Sequence, residues 1–344
     1  GLAENLRTLL TQDYPRYEVL FVFDRADDPA LGVVAEIIKD CDVVSKIVIA
    51  GPATDSGQKV HNLRVAVNEI DPGSEVIVFV DSDARPETSW LRQLVAPLAD
   101  ETLGASSGYR WFVPVNGGIA SRLRGVWNAS VASALGSDTT KNFCWGGSTA
   151  IRRATFERLK ISERWRGTVS DDFLVTRVLK EANQPVHFTP NCLVPSVGDC
   201  DFKELLEFTT RQIKITRVYA SHLWLPLLLG SALFTIVFFG GLILLIVQIL
   251  SGLRPLILPI ILVILYALGA AKAFIRWRAV SIPLANYRAA MRRDLAAHVL
   301  LWPFASVLYL YNAVVAGFSR RISWRGITYE LKSANEAVII SRES

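Results

Sequence analysis

The sequence predicts a mostly parallel α/β domain followed by a C-terminal group of membrane helices. Short, nearly continuous apolar runs alternate with helical stretches through the first half of the chain, the pattern of strands covered on both faces. Acidic turns close two of those runs. Beyond residue 222 the charges vanish for long stretches: 223–250 is 28 residues without one, against the roughly 20 that cross a bilayer.

Taken in order, residues 2–10 have helical periodicity, which Asp13-Tyr14-Pro15 ends. Residues 18–23 (EVLFVF) form a first strand, closed by the acidic turn 24–28. A helix over 31–39 and a second strand over 45–50 (SKIVIA) follow, then a loop over 51–60 and a helix over 62–70. Residues 75–80 (EVIVFV) make a third strand that ends at Asp81-Ser82-Asp83. In open sheets of this kind ligands bind beyond the carboxyl ends of the strands, where both acidic turns fall. Such a domain normally opens on a strand, so a first strand and a membrane anchor are expected ahead of Gly1.

Three apolar segments are expected to meet the membrane: 223–250, 256–271 with Lys272 snorkelling to the interface, and 295–318. Lys272, Arg276, Arg278, Arg288, Arg292 and Arg293 cluster behind the second, which places that loop and the preceding domain on the cytoplasmic face. A full third crossing would leave Arg320, Arg321 and Arg325 outside; together with Pro303 this favours a re-entrant or tilted segment. The expected organisation is a cytoplasmic catalytic domain over 1–221, two transmembrane helices over 222–274, a basic juxtamembrane segment over 275–294, a third membrane segment over 295–318 and a polar tail over 319–344. The net charge of +5 reads as juxtamembrane Lys and Arg facing anionic lipid, not as a nucleic-acid surface. Four cysteines without CxxC spacing argue against a disulfide framework or a zinc site and fit a reducing compartment.

Asp81 and Asp83, alternating across a tight turn, can aim two carboxylates at one point, where a divalent cation bridges them to a diphosphate. A solvated helix-capping turn is the plain alternative; the buried strand before it and the matching turn one unit earlier favour the chemistry. In that earlier turn Asp28-Pro29 suits the start of a helix, Asp as cap and Pro at the first position. Asp24 or Asp27 is left to accept a base N–H, and Arg25 to meet phosphate. Lys59 can hold phosphate as a point charge near the next helix start, with the Asn62 amide beside it, or be a solvated loop lysine. Asp171 and Asp172 open another helical stretch at 173–181: one can take a proton from an acceptor while the other orients it, or both can simply favour a helix start. Gly146 and Gly147, beside Phe143 and Trp145, let backbone approach a ligand or make a packed turn.

As an ordered set these residues resemble glycosyltransferase family 2, most closely its ceramide glucosyltransferase branch. The resemblance rests on Asp27-Asp28-Pro29-Ala30, Lys59-x-x-Asn62-Leu63, Asp81-Ser82 after its strand, and the pair Asp171-Asp172. Arg211-Gln212-Ile213-Lys214-Ile215-Thr216 stands where that branch has Arg/Gln-x-x-Arg-Trp, and Ser323-Trp324-Arg325 is similar to its C-terminal end. The resemblance implies a GT-A fold and inverting transfer of a hexose, glucose in that branch, from a UDP-sugar to a membrane lipid such as ceramide, with Mg²⁺ or Mn²⁺. Asp27 or Asp24 would be the uridine-side acid, Asp81 and Asp83 the metal acids, and Asp172 the base. Arg211 and Lys214 would line the donor or acceptor-entry site, with Lys214-Ile215 in place of the family's Arg-Trp. A hopanoid or diacylglycerol acceptor and a polysaccharide synthase stay open. So does a scaffold without catalysis, though the retained acids argue against it, and the nearly charge-free spans argue against a transporter.

Overall fold

The protein is described here over residues 1–342 from a computed structural model. It divides into two compact units: Gly1–Trp111 with Ala134–Val197 and the chain from Arg321 on, and Phe112–Ser133 with Gly198–Arg320.

In the first unit the strands are β1 (Glu18–Phe23), β2 (Val44–Ile49), β3 (Val76–Val80), β4 (Ala105–Val113, whose last two residues fall in the second unit), β5 (Ser148–Arg152), β6 (Val186–Val197), β7 (Arg321–Trp324), β8 (Ile327–Ser333) and β9 (Glu336–Arg342). The first three lie within one residue of their predicted places, but they do not hydrogen-bond as one sheet. β1 and β2 pair in parallel, while β3 belongs to a four-stranded sheet of order β3-β5-β4-β6. β5 lies antiparallel to both neighbours, so β3 and β4 run the same way without touching. The α/β class is therefore as predicted, with an antiparallel insertion that the apolar runs did not announce.

Helix Pro29–Lys39 packs Val34 and Ile37 against Phe21 and Phe23 of β1, with Trp90 and Leu94 in the same cluster. Phe79 of β3 meets Trp165 edge-on at a centroid distance of 5.5 Å and Phe156 at a tilt, at 6.2 Å. Truncating a ring so placed costs roughly 3–5 kcal/mol. The indole N–H of Trp165 donates to the backbone carbonyl of Asp171 at 3.1 Å, so this core also fixes the start of helix Asp171–Glu181.

The segment 319–344, expected to be a polar tail, is for the most part an antiparallel meander of order β7-β8-β9. Ile327, Tyr329 and Leu331 alternate inward and are buried. Charged and hydroxyl residues between them hide the period-2 pattern when polarity is averaged over the segment.

The second unit is helical. Helix Phe202–Tyr219 starts on a capping box, Asp201 with Glu204. Trp127 of helix Ile119–Ala132 stacks on Tyr309 at 4.8 Å, and the Tyr309 hydroxyl donates to the Trp127 carbonyl at 2.8 Å. Two helices, Ser221–Leu250 and Ile257–Val280, are long and apolar enough to cross a membrane. The second extends beyond the predicted end at 271 and carries Lys272, Arg276 and Arg278 in its last turns. The predicted segment 295–318 is not one helix. Ala285–Leu300 and Trp302–Phe318 meet at 71°, and counted as one broken span they make a third. Pro303 sits in the first turn of the latter helix, where its missing N–H leaves no interior bond unmade.

Candidate active site

Within the first unit, residues from the end of β3, two helix starts, β4 and a glycine turn converge. Asp81 ends β3, and the turn behind it closes with Ala84 N–H donating to the Asp81 carbonyl at 3.0 Å. Asn5 donates to the Ser82 carbonyl at 3.3 Å and accepts from Arg85 at 3.0 Å, which ties that turn to the first helix. Lys59 Nζ reaches Asp81 Oδ1 at 2.8 Å and Asp171 Oδ1 at 3.3 Å. Arg110, from β4, donates to Asp81 Oδ2 at 3.1 Å and to Asp83 Oδ1 at 3.4 Å, and its guanidinium lies 5.1 Å from the centre of the Trp145 ring.

Lys59 is not in the loop ahead of a helix, as read from sequence. Helix Gln58–Ala66 begins four residues before its predicted start at 62, with Gly57 as its N-cap. A cation in a first helical turn opposes the helix dipole; here two carboxylates offset that cost. The turn is seated by Gly57 N–H donating to the Thr168 carbonyl at 2.8 Å, which brings the helix start beside Asp171. Asn62 accepts from Gln58 at 2.9 Å and so braces the same turn.

The glycine turn fits only because it lacks side chains. A Cβ at Gly146 would fall on the Asp171 carboxylate and 2.8 Å from Lys59 Nζ. One at Gly147 would fall on the Trp145 ring and 2.8 Å from Asp81 Oδ2. Gly146 N–H points to Asp172 Oδ2 at 3.4 Å, a long contact.

Asp171 and Asp172 separate cleanly. Asp171 is buried, and that burial, with the charges of Asp172 and Asp81 and against the pull of Lys59, pushes its carboxyl up to about 6. Asp172 is half-buried; its Oδ1 accepts from Phe173 N–H at 2.8 Å and from the Ser170 hydroxyl at 2.5 Å. Ser170 caps the helix, so the acid pair is at once a helix start and part of this cluster. Burial works against the charge on Asp81, yet Lys59 and Arg110 outweigh it and hold that carboxyl below its usual range. Lys59 is held in its charged form, as Asp171, Asp81 and Asp172 outweigh the cost of its burial.

The turn after β1 has another character. Asp28 accepts from Ala30 N–H at 2.8 Å and caps its helix, as predicted. Asp27 is exposed and pairs with Arg25 of its own turn, at 3.5 Å. Asp24 is half-buried, and its charge bears on Tyr329, whose hydroxyl accepts from Gln58 N–H at 3.1 Å. Arg211 and Lys214 lie in helix Phe202–Tyr219 of the second unit. Arg211 pairs with Glu207 at 3.6 Å, and burial lowers the Lys214 ammonium.

Sequence reading missed Arg110 and Tyr109. Both sit inside the buried run SSGYRWFV, where one arginine among apolar residues was the available signal. Tyr109 is buried and lies edge-on to Trp145 at 5.6 Å.

Among the described residues no group of three or more His, Cys, Asp or Glu converges as a metal site. Mg²⁺ and Mn²⁺ need no such group where substrate phosphates complete their shell, since one or two carboxylates suffice. Asp83, half in solvent at 53% exposed, has an open oxygen, while Asp81 has both oxygens engaged. The oxygen-only pair fits a hard cation, with Asp83 as the more available donor.

Compared with known proteins, the chain is similar to a crystal structure of S. aureus TarS 1-349, at 14% identity and a TM-score of 0.38, over 99% of this chain and 96% of that one. The family model described as glycosyl transferase family 21 matches residues 1–337. The resemblance to family 2 is thus corrected in its number and kept in its kind: the chain belongs to glycosyltransferase family 21.

Proposed function

We propose that this glycosyltransferase moves a hexose, glucose in the first instance, from a UDP-sugar to the hydroxyl of a membrane lipid such as ceramide, with inversion at the anomeric carbon. One observation carries the reading: Lys59 joins Asp81, at the end of β3, to Asp171 and its neighbour Asp172, so acids for the leaving group and for the acceptor share one centre. The lipid acceptor is supported by family membership and by two helices long and apolar enough to cross a membrane.

The acceptor hydroxyl attacks the anomeric carbon as the bond to the diphosphate breaks. Its proton passes to Asp172 Oδ2, which Gly146 N–H meets only at a long 3.4 Å, while Oδ1 is held by Phe173 and Ser170. Asp171, buried against Lys59, keeps that lysine in place and does not itself meet substrate. Asp83 with Asp81 would hold Mg²⁺ or Mn²⁺, which when bound neutralises charge on the departing diphosphate. Asp24, the less exposed acid of its turn, is assigned to the uracil.

The test is mass spectrometry of lipid extracts from a null host expressing the protein and supplied with each UDP-sugar in turn. A new glycolipid is expected, and Asp172→Asn should lower turnover about 10²–10⁴-fold with UDP-sugar affinity kept. A polymeric product, or normal turnover in that variant, would overturn the assignment.

A further inference from the structure

The C-terminal meander is fastened to both sides of the Lys59–Asp171 junction. Tyr329 of β8 accepts from Gln58 N–H at 3.1 Å, one residue before Lys59. Arg342 of β9 donates to the Ala53 carbonyl at 2.5 Å and to Gln58 Oε1 at 3.3 Å. On the Asp171 side, Arg177 donates to Asn335 Oδ1 at 2.5 Å. Gly167, at φ +75°, lets the Asn335 carbonyl approach where a Cβ would collide.

Between β7 and β8 the chain turns through Arg325 and Gly326, both with positive φ, 50° and 73°. Two such residues define the hairpin turn whose twist matches the flanking strands, and Asn or Gly is the ordinary choice at the first position. Arg325 is exposed there and forms no ion pair with a carboxylate among the described residues. Lys59 and Arg110 are already engaged with Asp81, and the charge of Arg325 also reaches that carboxylate. An exposed guanidinium whose charge reaches Asp81 suits an anion, and its planar fork matches phosphate oxygens.

We propose that Arg325 is a donor-binding residue, contacting the diphosphate of the nucleotide-sugar, so that the C-terminal hairpin forms one wall of the donor site. This rests on the reading of a nucleoside diphosphate donor. The full chain in detergent is titrated calorimetrically with UDP and with UMP, as wild type, Arg325→Asn and Arg325→Lys. Asn tolerates the turn geometry, so that variant removes the cation without disturbing the hairpin. UDP affinity should fall about 10- to 100-fold in Arg325→Asn, the loss of a charge-assisted contact. It should recover in part in Arg325→Lys, with UMP affinity nearly unchanged. Unchanged UDP affinity in Arg325→Asn, or equal losses for UDP and UMP with a lowered melting temperature, would overturn the role of Arg325 alone. A wild-type protein that binds no UDP would overturn the donor reading as well.

Discussion

Two acidic turns close strands of the first unit, and their carboxylates end in different surroundings. After β1, Asp27 meets Arg25 from its own turn with both side chains mostly in water, 79% and 65% exposed, and Asp28 is spent on a helix cap. After β3, Asp81 is only 20% exposed and is met by Lys59 from a helix start and by Arg110 from β4. Locally the two turns read alike, a strand followed by acids. The difference lies in partners that arrive from 22 and 29 residues away. An exposed pair contributes roughly 0–1 kcal/mol, whereas a buried carboxylate without its cations costs several kcal/mol.

The hardest test of that contrast is Asp81 itself. Asp81→Asn should cost on the order of 10³-fold in turnover, as loss of a main electrostatic stabiliser does. Lys59→Met, which leaves Asp171 without its cation and Asp81 with Arg110 alone, should cost roughly 3–5 kcal/mol of stability, read from thermal unfolding. If Asp27→Asn did as much damage, the two turns would be equivalent and the comparison wrong. Next comes the cation: EDTA should abolish transfer, and added Mn²⁺ or Mg²⁺ should restore it. Asp83→Asn should then need more metal for half-maximal rate, because it removes the more open donor. Full activity in chelator would end the metal role.

A smaller effect separates Asp171 from Asp172. The folded-state pKa of Asp171 is raised from 3.8 to about 6 by burial, so the folded protein holds that proton more tightly than the unfolded chain. Its contribution to stability therefore falls as pH rises through that window, and above about 6 the buried charge remains as a cost. Asp171→Asn should flatten stability over this range and weaken the acid limb of kcat/KM near 6, with a milder loss of turnover than Asp172→Asn. An unchanged acid limb would place the titration elsewhere. The smallest effects belong to the first turn. Asp28→Ala should cost about 1 kcal/mol through the lost cap, and Asp27→Asn about 0.5 kcal/mol or less. A sharp loss of UDP-sugar affinity in Asp27→Asn would instead make that residue the uracil acid in place of Asp24.

Much of the site was legible because its signals are local. The apolar runs placed β1 to β3, Asp28-Pro29 marked a helix start, and paired acids at 81–83 and 171–172 stood out at element ends. Arg110 and Tyr109 were not legible, since a side chain in a buried strand reads as core until its neighbours are known. Nor were β7 to β9, whose alternation is short and mixed with charge.

By itself the sequence determined what depends on neighbours along the chain: strand and helix positions, the helix caps, the apolar spans and the residue types offered for catalysis. Tertiary structure alone decided which acids are buried, which cations meet them and which glycines must stay small. It also decided that 295–318 breaks at Leu301 and that the C-terminal segment returns to the Lys59 helix as a sheet. The physical reason is range. Propensity and capping act within a few residues, but the charge state of Asp81, Asp171 and Lys59 depends on dielectric and distance, and those exist only once the chain has folded.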